Sequence, residues 1–266
     1  MVTRRRIPLA PEQKAHYAAA LRALTDAGIE FLVGGGFALF LHLRQWRATK
    51  DLDLFVRAGD VRAALACLSA AGFVCELIDP AWLAKAGRGG APVDLIFCSY
   101  NGLFPVDETW FESRHRGDLL GVPVRLVAPE EMILSKSFVA ARDRFDGSDI
   151  AWLIREHGRR LDWDRIERGM RDHGQVLLWQ LVHSLYVFPS VREVVPQELL
   201  SRLIAQFEAR ISSPESRGAC RGPMLDPLSY QVALERAGEP DPRPREDLVI
   251  VSDAASGDEP AGAEVT

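Results

Sequence analysis

The hydrophobic positions of this chain fall into two rhythms, strand-like runs alternating with helical segments in its first half and helical spacing throughout its second. Residues 11–27 place Ala15, Ala18, Leu21 and Leu24 on one helical face, and Gly28 stands where a helix C-cap belongs. A short apolar run at 30–33 reads as a buried strand, followed by Gly34, Gly35 and Gly36. Residues 37–43 are apolar nearly all round, the pattern of a fully buried helix. A polar connector, 44–50, leads to a second strand at 51–56, and Asp60 is placed to cap a helix that runs to about 71 and ends on Gly72. Further strands are predicted at 73–77, 92–98 and 122–127, with a short helical turn at 80–86, a glycine loop at 87–90 and a loop-rich stretch at 99–121.

From Pro129 the helical period takes over. Pro129 with Glu130 and Glu131 opens a helix that extends to about 141, and residues 142–149 lead into another through Leu153. Residues 161–210 stay helical with breaks at Gly174, Pro189 and Pro196, and Leu177, Leu178, Trp179, Leu181, Val182, Leu185 and Tyr186 read as the core of this half. A last helix is predicted over 226–236. The alternation of strands and helices gives an α/β (α+β) class: a small mixed sheet flanked by helices, then a helical subdomain. The expected division is a core at 1–127, a helical subdomain at 128–236 and a disordered acidic tail at 237–266, in which 248–251 is the one apolar patch.

Composition adds limits. The 266 residues are 47% hydrophobic, enough for a substantial core, and no run is long enough to span a bilayer, so no membrane association and a cytoplasmic location are expected. Cys67, Cys75, Cys98 and Cys220 have neither metal-ligand nor disulfide-framework spacing. The net charge of −5 is uneven: residues 237–266 hold eight acids and two arginines, leaving the preceding body near neutral. That excludes a strong nucleic-acid footprint over the body, although Arg4, Arg5 and Arg6 could touch a polyanion. His157, His173 and His183 are scattered and read as surface or packing residues.

The candidate chemistry lies at 29–56. Three glycines between a strand and a helix let the backbone approach a ligand while the first N–H groups of the helix face an anion. Asp51 and Asp53, two apart on a strand, leave the same face and can share a cation. Asp94 is a lone acid within the run Val93, Leu95, Ile96, Phe97. Either it sits exposed at the start of its strand, or a neighbouring strand brings it to the same cation, in which case three carboxylates could hold two metal ions.

Gly34-Gly35-Gly36, Asp51-Leu52-Asp53 and the later Asp94 together resemble the DNA polymerase beta-like nucleotidyltransferase superfamily. Within it, the approach Arg47-Ala48-Thr49-Lys50-Asp51-Leu52-Asp53, the downstream Lys136 and the pair Asp146 and Asp149 are similar to small bacterial enzymes of the abortive-infection and toxin–antitoxin type. The resemblance covers about residues 29–155. It implies a nucleotidyltransferase sheet and transfer of a nucleoside monophosphate from a nucleoside triphosphate, ATP among them, to a hydroxyl, with release of pyrophosphate. It also implies Mg2+, two ions, on Asp51, Asp53 and Asp94, with the nucleotide on Gly34, Gly35, Gly36, Arg47, Thr49 and Lys136. Lys136 reads otherwise as a solvated helix lysine, Asp146 and Asp149 as a capping or structural ion-pairing pair rather than acceptor-orienting groups, and Arg47 and Thr49 as supports of the loop. The acceptor stays open among an RNA end, a protein and a small molecule. The rival reading is a catalytically silent module that binds nucleotide or a partner protein.

Overall fold

The structure is a computed structural model that describes residues 7–213 and 220–244. The arginines at 4–6, the acidic stretch from 245 onward and the apolar patch 248–251 lie outside the described residues. Helix α1 (Pro11–Asp26) leads through Gly28, at φ +69°, to strand β1 (Leu32–Val33) and helix α2 (Gly35–Leu43). Strand β2 (Leu52–Phe55) and helix α3 (Val61–Ala70) follow, then strands β3 (Val74–Asp79), β4 (Leu83–Arg88) and β5 (Ala91–Ile96). A hairpin of β6 (Arg116–Leu119) and β7 (Val122–Arg125) precedes helix α4 (Pro129–Ser137), and a second small hairpin joins β8 (Ala140–Ala141) to β9 (Arg144–Phe145). Helices α5 (Gly147–His157), α6 (Trp163–Met170), α7 (Gly174–Val187), α8 (Gln197–Ser212) and α9 (Pro227–Ala237) complete the described chain.

The main sheet is mixed, in the order β1-β2-β5-β4-β3, with β2 and β5 parallel and the other neighbours antiparallel. The period-2 alternation of its strands gives the sheet two unlike faces. Leu52, Leu54, Val93, Leu95, Ala84 and Ala86 point to one side, where Tyr17, Leu21 and Leu24 of α1 and Val61, Ala64 and Leu68 of α3 bury them. Asp53, Phe55, Asp94, Ile96 and Lys85 point to the other. A second apolar cluster, built from α4 to α8, packs Met132, Ile133, Ile150, Leu153, Ile166, Leu177 and Leu181 together. Helix α2 belongs to both clusters: Phe37 packs with the sheet core, Ala38 and Leu39 with the helical one. This explains why it is apolar all round.

Four expectations change. Residues 83–88, rich in good helix formers, are strand β4 rather than part of a helical turn, because pairing on both edges with β3 and β5 overrides local propensity. Helix α4 ends at Ser137 and not near 141, since Ala140 and Ala141 pair with Phe145 and Arg144 instead. The 99–121 stretch contains β6, which forms a hairpin with β7. Asp60 precedes α3 without capping it, and its carboxylate faces Arg57 at 3.6 Å. The predicted helical core is also half right: Leu177 and Leu181 are fully buried, whereas Trp179, Val182 and Tyr186 are exposed.

Candidate active site

The site starts from a register. Because β2 and β5 run parallel, Asp53 lies directly opposite Asp94, and Asp51, two residues before Asp53, leaves the chain on the same side. Carboxylate oxygens of Asp51, Asp53 and Asp94 all lie within 4.8 Å of one another. They line a cavity of about 380 Å³ together with Gly35, Lys136, Arg144 and Asp146. Its lining also includes apolar and aromatic side chains, Trp82, Tyr100, Met132 and Leu225 among them.

The three glycines have separate reasons. Gly35 adopts φ +50°, and a Cβ there would fall 1.6 Å from Asp53 Oδ2. The carboxylate rests on the glycine backbone, so only a residue without a side chain fits. A Cβ on Gly36 would stand 2.8 Å from Thr49 Cβ, and one on Gly34 would enter the Phe55 ring. Gly34 N–H donates to Asp53 O (2.9 Å), tying the turn to the strand. Thr49 Oγ1 donates to Asp51 Oδ1 at 3.2 Å, which orients the first carboxylate.

Burial and then the neighbouring Asp51 push the Asp53 carboxyl up to about 7, the behaviour of crowded, desolvated acids that a cation would draw back down. Burial also raises Asp94, against the opposing pull of Lys85. Lys85, across the strand pair on β4, donates to both Asp94 oxygens at 3.0 Å each. Nothing in the sequence singles out Lys85, because its partner depends on a hairpin that local composition reads as a helical turn and a loop.

Lys136 lines the cavity, but its ammonium is engaged by Asp146 Oδ2 (2.5 Å) and Asp149 Oδ2 (2.9 Å), all three side chains being buried. Asp146 makes no side-chain cap bond to α5, so the lysine takes the carboxylate that capping would use. Arg47 donates to Asp149 Oδ2 at 2.6 Å from outside the cavity lining, bracing the polar connector against α5. Arg144, on β9, donates to Asp146 and keeps 65% of its side chain exposed at the cavity. The structure thus brings Asp51, Asp53, Asp94 and Gly35 together with Lys136, Arg144 and Asp146, and sets Arg47, Thr49 and Asp149 behind them as supports.

Three carboxylates are the hard oxygen donors that magnesium takes, and their spacing suits a shared cation site. No described helix is long and apolar enough to cross a membrane.

Among solved structures, the chain is similar to the antibiotic-resistance factor ANT(2'')-Ia: 17% identity over 78% of this chain and 97% of that one, TM-score 0.41. It is similar also to the lincosamide antibiotic adenylyltransferase LnuA in its lincomycin-bound form (15% identity, 54% and 96% covered, TM-score 0.40). A third is JHP933 from Helicobacter pylori (13% identity, 86% and 97% covered, TM-score 0.34). No curated protein matches the sequence. A family model described as "Uncharacterised nucleotidyltransferase" matches residues 12–188, about two thirds of the 266 residues and the whole of the carboxylate site. The chain belongs to that nucleotidyltransferase family.

Proposed function

We propose that this protein moves a nucleoside monophosphate from a nucleoside triphosphate to a hydroxyl acceptor. The observation that carries the reading is the convergence of Asp51, Asp53 and Asp94 beside the Gly35 turn. Asp51 and Asp53 would hold one magnesium ion and, with Asp94, a second. Bound there, such ions supply Lewis acidity to the phosphoryl oxygens and acidify the attacking hydroxyl.

The chain's own groups do the rest. Gly35 and the free N–H groups that open α2 receive phosphate oxygens. Arg144, exposed at the cavity, adds a positive charge for the triphosphate. The buried ammonium of Lys136 keeps Asp146 and Asp149 in place beneath it. The acceptor oxygen forms a bond to the α-phosphorus, the bridging bond between α-phosphorus and oxygen breaks, and pyrophosphate leaves with that electron pair. The hydroxyl proton passes to a carboxylate oxygen of Asp94 and then to water. Arg47, Thr49 and Lys136 support placement in the abortive-infection and toxin–antitoxin branch through their spacing alone.

The test is label transfer from each α-labelled nucleoside triphosphate, with magnesium, in a cell extract. Asp51→Asn and Asp53→Asn are expected to cut transfer by about 10³-fold with far-ultraviolet dichroism unchanged. Wild-type levels in both variants would overturn the site. Whether the label enters RNA, protein or small molecules identifies the acceptor class, and nucleotide binding without transfer would favour the silent module.

A further inference from the structure

The face of the sheet that carries the acids continues beyond them. Register places Asp53 opposite Asp94, Asp94 opposite Lys85, and Lys85 opposite Glu76 of β3, so four charged side chains form one row across four strands. Two of these are carboxylates of the cation site. The third, Lys85, binds both oxygens of Asp94 at 3.0 Å, and so occupies whichever of them a divalent cation would take. Asp94 is buried, whereas the Lys85 side chain is 42% exposed, and Glu76 is exposed and makes no ion pair among the described residues. A lysine head on a flexible stem can therefore leave Asp94 for Glu76 without any change of backbone.

We propose that Lys85 is a displaceable counter-ion of the metal site, neutralising Asp94 until a divalent cation arrives and then passing to Glu76. The inference rests on the nucleotidyl-transfer reading in taking the ligand to be a divalent metal. Lys85 is a positioning residue: its ammonium gives up the Asp94 oxygens before transfer begins, and it acts only through Asp94. Its charge stands between two needs. Without it, three crowded carboxylates would repel one another; with it fixed in place, an incoming dication would meet a positive charge on its own ligand. Glu76 resolves the conflict by giving the ammonium a second partner one strand further out.

The test measures Mn2+ binding to the full-length, nucleotide-free protein by loss of the free-ion electron paramagnetic resonance signal. Lys85→Met is expected to bind Mn2+ about tenfold more tightly than wild type, because a competitor is gone. Glu76→Gln is expected to bind about threefold more weakly, and its effect should vanish in the Lys85→Met background, where no ammonium needs a new partner. Equal or weaker binding by Lys85→Met would overturn the inference, as would a Glu76→Gln effect of the same size in both backgrounds. Should Lys85→Met fail to fold, Glu76→Gln on its exposed edge strand decides: unchanged affinity overturns the inference. Intact transfer by wild type with an unaltered affinity in Lys85→Met removes the role of Lys85 alone. Absence of Mn2+ binding by wild type, with nucleotide present, removes the metal site together with it.

Discussion

At Gly35, a backbone angle and a carboxylate depend on each other. The residue occupies the left-handed region and lies under Asp53, so an added methyl group meets strain in φ and a collision with Oδ2 at once. Gly35→Ala should destabilise the fold by about 2 kcal/mol or more and displace Asp53 from its partners. Urea denaturation and label transfer check the two effects, and wild-type values in both would show that the turn has room the geometry denies. Gly36→Ala meets only Thr49 and is expected to be milder, since a side chain can shift where a strained backbone cannot. The glycines and the paired acids are legible in the amino-acid sequence only in combination: a glycine turn or two acids spaced two apart is common alone, and it is their spacing between two apolar strands that points to a shared anion and cation site. Asp94 is legible as a charge needing a partner within an apolar run. Lys85 is not, because an exposed-looking lysine acquires meaning only from the register of the strand beside it.

The short β8–β9 hairpin takes the place of the last turn that helical spacing predicts for α4. By stopping α4 at Ser137 and turning the chain, it delivers Asp146 and the start of α5 to the buried ammonium of Lys136. Removing one member of such a group leaves the others buried without a counter-charge, so Lys136→Met should cost about 3 kcal/mol at neutral pH. The sign of its pH dependence follows from Asp146: burial pushes its carboxyl up, but Lys136 and Arg144 outweigh burial and hold it below its ordinary range. A depressed acid contributes stability above its unfolded pKa and loses it as the pH falls through the folded one, so the gap between wild type and Lys136→Met should narrow in acid. Chemical denaturation at pH 7 and at pH 3 measures it, and a constant gap would count against the ion-pair account. The elements hardest to read share one cause. Leu83 to Arg88 and Ala140 to Ala141 have helical composition, and only pairing with other strands makes them extended. A local signal does exist at β4: Gly89-Gly90, at φ +54° and +71°, is a two-residue hairpin loop between runs that pair as Arg88 with Ala91.

For the molecule as a whole, the joint between the sheet core and the helical cluster matters most, and α2 forms it with Phe37 on one side and Leu39 on the other. Sequence period identifies this helix as buried but cannot say that two separate cores share it, and the same blindness places Trp179, Val182 and Tyr186 of α7 inside when they face outward. At the end of the joint, His42 of α2 meets His115 edge-on (ring centroids 5.0 Å) and His157 of α5 (5.5 Å). In the sequence His157 looks like one of several scattered histidines, because residues 115 positions apart in the chain, as 42 and 157 are, show no spacing that would group them. His42 Nε2–H donates to Val127 O at 2.9 Å, which orients the ring and sets the tautomer of its neutral form. Burial, with His115 and His157 alongside, pushes His42 down to about 4 from 6.5 and lowers His157 as well. The unfolded chain therefore takes up protons from pH 6.5 downward while the folded one resists until about 4, so stability present above 6.5 is lost across that window. His42 alone accounts for about 2–3 kcal/mol of the loss. His42→Gln keeps an N–H for Val127 and carries no titratable ring. Its urea midpoint should fall less than the wild-type midpoint between pH 7 and pH 4.5, and parallel declines in the two proteins would place the acid sensitivity elsewhere in the fold.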